Sequence, residues 1–317
     1  MSLRILNAEP HHYSKRAHQI LSEIGTVTDK PLTQEQLADE IQHCDVLIVR
    51  LGLRVTSEII NRGKKLKFIL SATTGLDHID LECARKNNVK VISLKGEYAF
   101  LDSIPSTAEH TWALLLALMR NLPSAVNSVQ QGNWDRDQFK GNNLSGKRLG
   151  IIGLGRVGKQ VAHFAKAFKC EVGSYDPYQN RWLDFVQQFS SLKELVRWAE
   201  IVTLHIPYSI ETHHFIGKEL LSSFNKGSIL INTSRGGVWD ESEVSALVKS
   251  GYLTGVATDV LEFELEDTKR PSSPLLKLMA SNQNVLITPH IAGATFESME
   301  LTEIFIAQKL KTSINVS

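Results

Sequence analysis

The stretch Gly153-Leu-Gly155-Arg-Val-Gly158 follows an apolar run at 149–152 and opens a helical pattern that continues to about residue 168. Strand, glycine turn and helix in that order decide the fold. Gly153 suits a tight turn, Gly155 lets the backbone approach a pyrophosphate, and Gly158 lets the helix pack close to the sheet. The positive end of that helix then faces the phosphates. Val157 is expected among the cofactor contacts with these glycines, and Arg156 reads equally well as a phosphate contact or a solvated first-turn residue. Asp176 ends the next expected strand, eighteen positions after Gly158. A carboxylate there accepts the ribose hydroxyls of the adenosine half and repels a 2′-phosphate, so the expected cofactor is NAD rather than NADP.

Outward from this turn the same alternation continues. Strands are expected at 148–153, 171–176, 201–206, 228–233 and 253–259, separated by helices near 155–168, 192–198, 218–222 and 240–249. Upstream lies a second series, with strands at 4–7, 45–50, 67–71 and 89–93 and helices at 13–24, 33–43, 56–61 and 80–86. Strands alternating with helices of this length imply parallel sheets covered on both faces, so the fold class is α/β with two doubly wound units. A long helix from about 104–106 past Arg120, with Pro105 suited to its first turn, links the two series. A strand at 285–289 and a helix from about 295 complete the chain.

The composition suits this architecture. The chain has 317 residues, 42% hydrophobic and 22% charged, which fits two globular domains. A net charge of +1 gives no reason to expect nucleic acid or an anionic membrane as partner. The greasiest run, 111–119, is about half of what crosses a bilayer, and the first ten residues do not read as a signal peptide. Cys44, Cys83 and Cys170 show neither metal-ligand spacing nor a disulfide framework, and read as inert thiols in a reducing cytoplasm.

Further motifs resemble the D-isomer-specific 2-hydroxyacid dehydrogenase family over nearly the whole chain. Ser106-Thr-Ala-Glu-His110 resembles the start of the family's interdomain helix and carries Thr107. Ser71-Ala-Thr-Thr-Gly-Leu-Asp-His-Ile-Asp80 is similar to its substrate loop, and His205-Ile-Pro207 followed by Thr212 to its nicotinamide-side loop. Ile231-Asn-Thr-Ser-Arg-Gly-Gly237, Asp259 with Glu264, and Thr288-Pro-His-Ile-Ala-Gly-Ala-Thr295 complete the pattern. The resemblance implies a Rossmann NAD domain at 105–284 inserted into a flavodoxin-like substrate domain made of 1–104 and 285–317, with the active site in the cleft. It also implies that Ile206, Pro207, Thr233, Ser234, Asp259 and Gly293 join the cofactor contacts, and that the backbone of Thr73, Thr74 and Gly75 binds the substrate carboxylate.

Hydride transfer at C2 of a hydroxy acid needs a held carboxylate, a stabilised oxygen and one moved proton. By resemblance, Arg235 supplies a planar fork for carboxylate and carbonyl oxygen. His290 exchanges the proton, and Glu264 fixes its tautomer. The family usually has proline after that glutamate, whereas Leu265 stands here, and Glu262 and Glu266 are close rivals. Glu264 is expected because it lies five residues after Asp259, as in the family. His205, His213 and His214 invite a metal reading, but no carboxylate or cysteine joins them at ligand spacing, so no metal is expected.

The substrate divides the motifs. Asp45-Val-Leu-Ile-Val-Arg50, Val55-Thr56 and Tyr175-Asp-Pro-Tyr178 resemble phosphoglycerate dehydrogenases, and Arg50 and Arg54 are candidates to neutralise a distal phosphate. Ser71 stands where many of those enzymes carry arginine, and the wording of 73–80 is close to glyoxylate and hydroxypyruvate reductases. The expectation is also a chain without the regulatory domain of the long phosphoglycerate enzymes. The competing class is an NAD(H)-sensing corepressor-like protein without turnover, which the absence of extra binding segments disfavours. The apolar helix at 106–120 resembles the family's dimer interface, so a homodimer is expected.

Overall fold

The computed structural model describes residues 2–281 and 284–315. They form two compact units, Met1–Ser103 with Ala294–Ser317, and Ile104–Gly293. Each is a doubly wound parallel sheet.

The first unit holds β1 (Leu3–Asn7), β2 (Gly25–Asp29), β3 (Val46–Val49), β4 (Phe68–Ser71) and β5 (Lys90–Ser93), all parallel, in the order β2-β1-β3-β4-β5. β3 is buried along its whole length, which is why Val46-Leu-Ile-Val49 is apolar without alternation. Leu47, Val49 and Ile69 pack against Leu37, Ile41, Ile59 and Ile60 from helices on one face. Strand β2 escapes a reading by hydrophobic pattern. Its Gly-Thr-Val-Thr-Asp sequence pairs only with β1 at the sheet edge and stays largely accessible.

The last helix, Phe296–Asn315, packs against helix Lys15–Ser22, and Phe305 stacks on Phe100 with ring centroids 4.1 Å apart. Buried Glu303 fixes this packing. Its Oε2 accepts the Ser14 amide at 2.7 Å, its Oε1 accepts Arg50 Nη2 at 2.5 Å, and Ser14 in turn caps helix Lys15–Ser22. Burial raises the Glu303 carboxyl above its ordinary range despite these donors.

The second unit holds β6 (Arg148–Ile152), β7 (Glu171–Tyr175), β8 (Val186–Gln188), β9 (Ile201–Leu204), β10 (Ile229–Asn232), β11 (Gly255–Thr258) and β12 (Val285–Ile287). All are parallel, in the order β12-β11-β10-β9-β6-β7-β8. The order reverses between β6 and β9, and the glycine turn follows β6 at that switch point. One face is covered by a core around Trp239, Leu195, Leu220 and Val244, the other by Trp112, Leu115, Leu118 and Ala162.

Three expectations change here. The segment 285–317 is not one piece, because β12 pairs with β11 (Val256↔Val285, Thr258↔Ile287) and buries Val285 in the second unit's core. The chain therefore returns to the first unit at Ala294, not at Val285. The long helix stops at Met119, where Asn121 turns left-handed (φ 53°) and a new helix, Leu122–Gln130, begins with Pro123 in its first turn. Helix Ser106–Met119 is apolar because Ala108, Trp112, Leu114, Leu115 and Leu118 lie in its own unit's core, so its composition does not call for a partner.

Removing the carboxylate in Glu303→Ala strands a half-buried guanidinium and uncaps the Ser14 amide. Denaturant unfolding should show a loss of about 3 kcal/mol. A loss below about 0.5 kcal/mol, the scale of an exposed pair, would show that Glu303 does not organise this unit.

Candidate active site

The expected residues of the second unit gather where its parallel strands end. Gly153 leaves β6 at φ 92°, a conformation that favours glycine, and a Cβ there would stand 2.6 Å from the His205 carbonyl oxygen. A Cβ on Gly158 would stand 2.2 Å from the Gly153 carbonyl oxygen, so helix Arg156–Ala167 can approach the turn only with glycine. At Gly155 a Cβ would meet nothing within 4 Å, and no side chain caps the helix that Gly155 begins. Open space over an uncapped helix N-terminus is what a pyrophosphate needs, so the residues present fit a dinucleotide.

Around this turn the neighbouring strands are tied in. Asp176 follows β7, with Oδ2 accepting the Leu154 amide at 2.8 Å and Oδ1 the Tyr178 amide at 2.9 Å. Arg156 sends Nη1 to the Ile104 carbonyl at 3.0 Å, and Val157 packs on the core. The His205 amide donates to Ile152 O, tying the end of β9 to β6. Its imidazole meets Thr203 Oγ1 at 3.0 Å, and desolvation lowers it to about 3, which keeps the ring neutral. Beyond Ile206, Thr212 closes the loop by accepting the Ser209 amide and donating to Pro207 O. The Thr107 carbonyl accepts Thr111 Oγ1, which pairs with Thr233 Oγ1 at 2.8 Å.

The candidate reacting groups follow three adjacent strands. After β10, Asn232 shapes the turn: its Oδ1 accepts the amide and hydroxyl of Ser234, and its Nδ2 donates to Arg235 O. Arg235 Nη1 donates to Ser234 O at 2.8 Å. A Cβ on Gly236 would stand 2.0 Å from the Leu261 carbonyl carbon, so this turn presses directly on the chain leaving β11. Two strand spacings, about 10 Å, separate the ends of β10 and β12.

Asp259, at the end of β11, is almost wholly buried. It accepts Thr288 Oγ1 at 2.6 Å, the Ile291 amide at 2.9 Å and the Ala292 amide at 2.7 Å, while His110 Nε2 stands 3.4 Å away. Burial alone would raise its carboxyl, but donors from His110, Thr288, Ala292 and Ile291 outweigh it and hold it below the usual carboxylate range. The anion thus folds residues 288–292 around itself and puts His290 in the left-handed region, φ 55°. His290 Nδ1 then meets Glu264 Oε1 at 2.6 Å. The rival glutamates have other partners: Glu262 takes His214 at 2.9 Å and Glu266 takes Lys269 at 2.8 Å.

Two site contributors lay inside quoted motifs without being singled out. His110, which also reaches Thr288 Oγ1 at 2.9 Å, stands in the Ser106–His110 block, and Asn232 in the block after β10. The expectation that no carboxylate joins the paired histidines is overturned, since Glu262 stands with His213 and His214. Gly293 is exposed at the end of the second unit. In the first unit, Thr73, Thr74 and Gly75 follow β4, where Thr73 Oγ1 links Ser71 Oγ to the Gly75 carbonyl. Arg50 follows β3, but its Nη2 goes to Glu303 and its Nη1 to His11 O.

The family model for the D-isomer specific 2-hydroxyacid dehydrogenase NAD-binding domain matches residues 112–292. D-3-phosphoglycerate dehydrogenase of Methanocaldococcus jannaschii is 38% identical over 98% of this chain and 57% of its own length. The chain therefore spans little more than half of that relative. Hydroxypyruvate reductase of Thermotoga maritima is 34% identical over 95% of this chain and 96% of its own. D-lactate dehydrogenase from Aquifex aeolicus, solved with NAD and lactic acid, superposes with a TM-score of 0.84 at 28% identity, covering 98% of this chain and 95% of that one. The fold and glycine turn are those of a dinucleotide-binding α/β protein. The chain belongs to the D-isomer-specific 2-hydroxyacid dehydrogenase family, and the second unit carries its NAD-binding domain.

Because the folded carboxyl of Asp259 lies below its unfolded value near 4, its contribution to stability is present above that pH and lost as pH falls through the folded value. Asp259→Asn should cost about 1–3 kcal/mol at pH 7 and flatten the acid limb of a thermal-melt series from pH 6 to pH 3. An acid limb as steep as in the parent chain would assign that loss to other groups.

Proposed function

We propose that the protein interconverts a small D-2-hydroxy acid and its 2-oxo acid, with NAD as cofactor. The observation that carries this reading is the His290–Glu264 pair, which with Arg235 follows three adjacent parallel strands of an NAD-binding domain of the matching family. Bound NAD supplies the hydride acceptor for oxidation and, reduced, the donor for reduction. The chain supplies binding, orientation and the proton. With Nδ1 directed at Glu264, His290 offers Nε2 to the C2 oxygen, taking its proton in oxidation and returning it in reduction. Glu264 holds the ring and fixes its tautomer. Arg235 binds the carboxylate and the C2 oxygen. Asp176 takes the adenosine ribose. Asp259 acts through the 288–292 turn.

The substrate reading favours an unphosphorylated acid such as hydroxypyruvate or glyoxylate. Arg50, the residue suited to a distal phosphate, has two guanidinium nitrogens engaged by Glu303 and the His11 carbonyl. The relative matched along nearly its full length is named a hydroxypyruvate reductase. The relatives named above are dehydrogenases and reductases, not corepressors. Thiols at Cys44, Cys83 and Cys170 suit a cytoplasmic setting, with burial pushing Cys44 up to about 12 and Cys170 up to about 11, away from reactivity. No helix among the described residues is long and apolar enough to cross a membrane.

NADH oxidation should follow addition of hydroxypyruvate or glyoxylate, with a higher kcat/KM than 3-phosphohydroxypyruvate. His290→Ala should lower kcat by about 100-fold or more while leaving NADH affinity nearly unchanged. Asp176→Ala should weaken NADH and narrow its advantage over NADPH. Turnover that survives His290→Ala would remove the imidazole from the proposed role.

The homodimer reading rests on a different surface from the one expected. Leu122, Val126, Val129 and Trp134 are all exposed on and just after helix Leu122–Gln130. An apolar face of this kind suits a second copy. Sedimentation equilibrium should give about twice the 35.4 kDa chain mass, and Val126→Asp should shift it toward monomer. A parent chain that sediments at monomer mass over the micromolar range would end this reading.

A further inference from the structure

The loop after β9 and the segment after β11 bring together three donors that the proposed reaction does not use. One ligand-capable atom each from His213, His214 and Glu262 lies within 4.8 Å of the other two. His214 Nε2 stands 2.9 Å from Glu262 Oε1, and its Nδ1 stands 4.0 Å from Asp240 Oδ2. The rings of His213 and His214 stack at 4.0 Å between centroids.

The backbone under two of these donors is fixed from the side away from solvent. The His214 amide donates to Gly237 O at 2.8 Å, with His214 itself left-handed at φ 49°. The Glu262 amide donates to Glu241 Oε1 at 2.8 Å, and buried Glu241 is held in turn by the Ser273 hydroxyl. His213 is the adjustable member: it is exposed, its amide donates to Ile210 O at 3.4 Å, and its ring Nδ1 stands 3.3 Å from the Tyr208 hydroxyl.

We propose that His213, His214 and Glu262 form a binding site for a divalent transition cation of the zinc class. Two imidazoles and one carboxylate are a borderline-soft donor set that selects zinc over calcium or magnesium, which take oxygen ligands. Zinc–nitrogen bonds of about 2.0 Å place the donors of a tetrahedral site roughly 3.3 Å apart, so the widest gap must close by about 1.5 Å. Rotation of the exposed His213 side chain is enough for that. Water completes the coordination. An ordinary His214–Glu262 ion pair needs no third donor, whereas the stacked His213 adds one on the solvent side. Occupancy would clamp the loop at 207–217 to the segment that runs from Asp259 to Glu264.

The test is competition between the untagged full-length protein and a chromophoric chelator for Zn²⁺, read without turnover, so its failure leaves the dehydrogenase reading untouched. One zinc should bind per chain, with no matching effect of Mg²⁺ or Ca²⁺ and a rise in Tm on zinc addition. Loss of an outer-shell partner alone costs metal sites about 10–100-fold in affinity. His213→Ala and Glu262→Gln, which remove ligands, should therefore each weaken zinc by at least about tenfold and abolish the rise in Tm. Neither change touches the buried core, and unchanged circular dichroism would confirm that both variants fold. Zinc affinity equal in the parent and in both folded variants would overturn the site and direct the ion elsewhere, the edge-on His11–His12 pair for example. Absence of stoichiometric binding would overturn it as well.

Discussion

The carboxylate of Asp259 is the constraint on which the candidate active site depends. A buried anion must collect donors, and at the end of β11 the nearest are the Thr288 hydroxyl, two amides of the chain leaving β12, and His110. Collecting them wraps residues 288–292 into a tight turn and commits His290 to a backbone conformation that non-glycine residues seldom take. That conformation directs the imidazole at Glu264. The pairing is therefore a product of the sheet edge beneath it, not of flexible loops meeting by chance.

The parallel sheet explains why so much chemistry collects in one place. Every strand of the second unit ends on the same side, so the glycine turn, Asp176, the loop after β9, and the turns bearing Arg235, Glu264 and His290 share that edge. Steric contacts bind these pieces to each other. Gly158 allows the helix against the turn, Gly153 allows the end of β9 against it, and Gly236 allows the Arg235 turn against the chain at Leu261.

Much of this was legible in the sequence, for physical reasons that also mark where legibility stopped. A buried parallel strand such as Val46–Val49 announces itself as an unbroken apolar run, and Ile201–Leu204 is broken only by Thr203. The edge strands Gly25–Asp29 and Val186–Gln188 do not, since an edge needs little apolar surface and reads as a loop. The short strand at 285–287 was seen, but its allegiance was not, because hydrogen-bonding partners leave no local signature. The same limit applies to side chains. The residue types at 235, 264 and 290 could be read from motifs, and spacing from Asp259 singled out Glu264, whereas the partners of its neighbours, Glu262 to His214 and Glu266 to Lys269, left no sign in the sequence. The use of Arg50 by Glu303, 253 positions away, was equally invisible along the chain.

The strand at 285–287 carries a wider implication. Because the chain completes the second sheet before leaving it, the imidazole, its carboxylate partner and the guanidinium all reside within one structural unit, while Arg50 and the 73–75 turn reside in the other. In the proposed reaction, proton exchange and the grip of Arg235 on the substrate are thus encoded in one structural unit of the chain. A substitution within the first unit's core leaves untouched the strands and turns that aim the imidazole at its carboxylate partner.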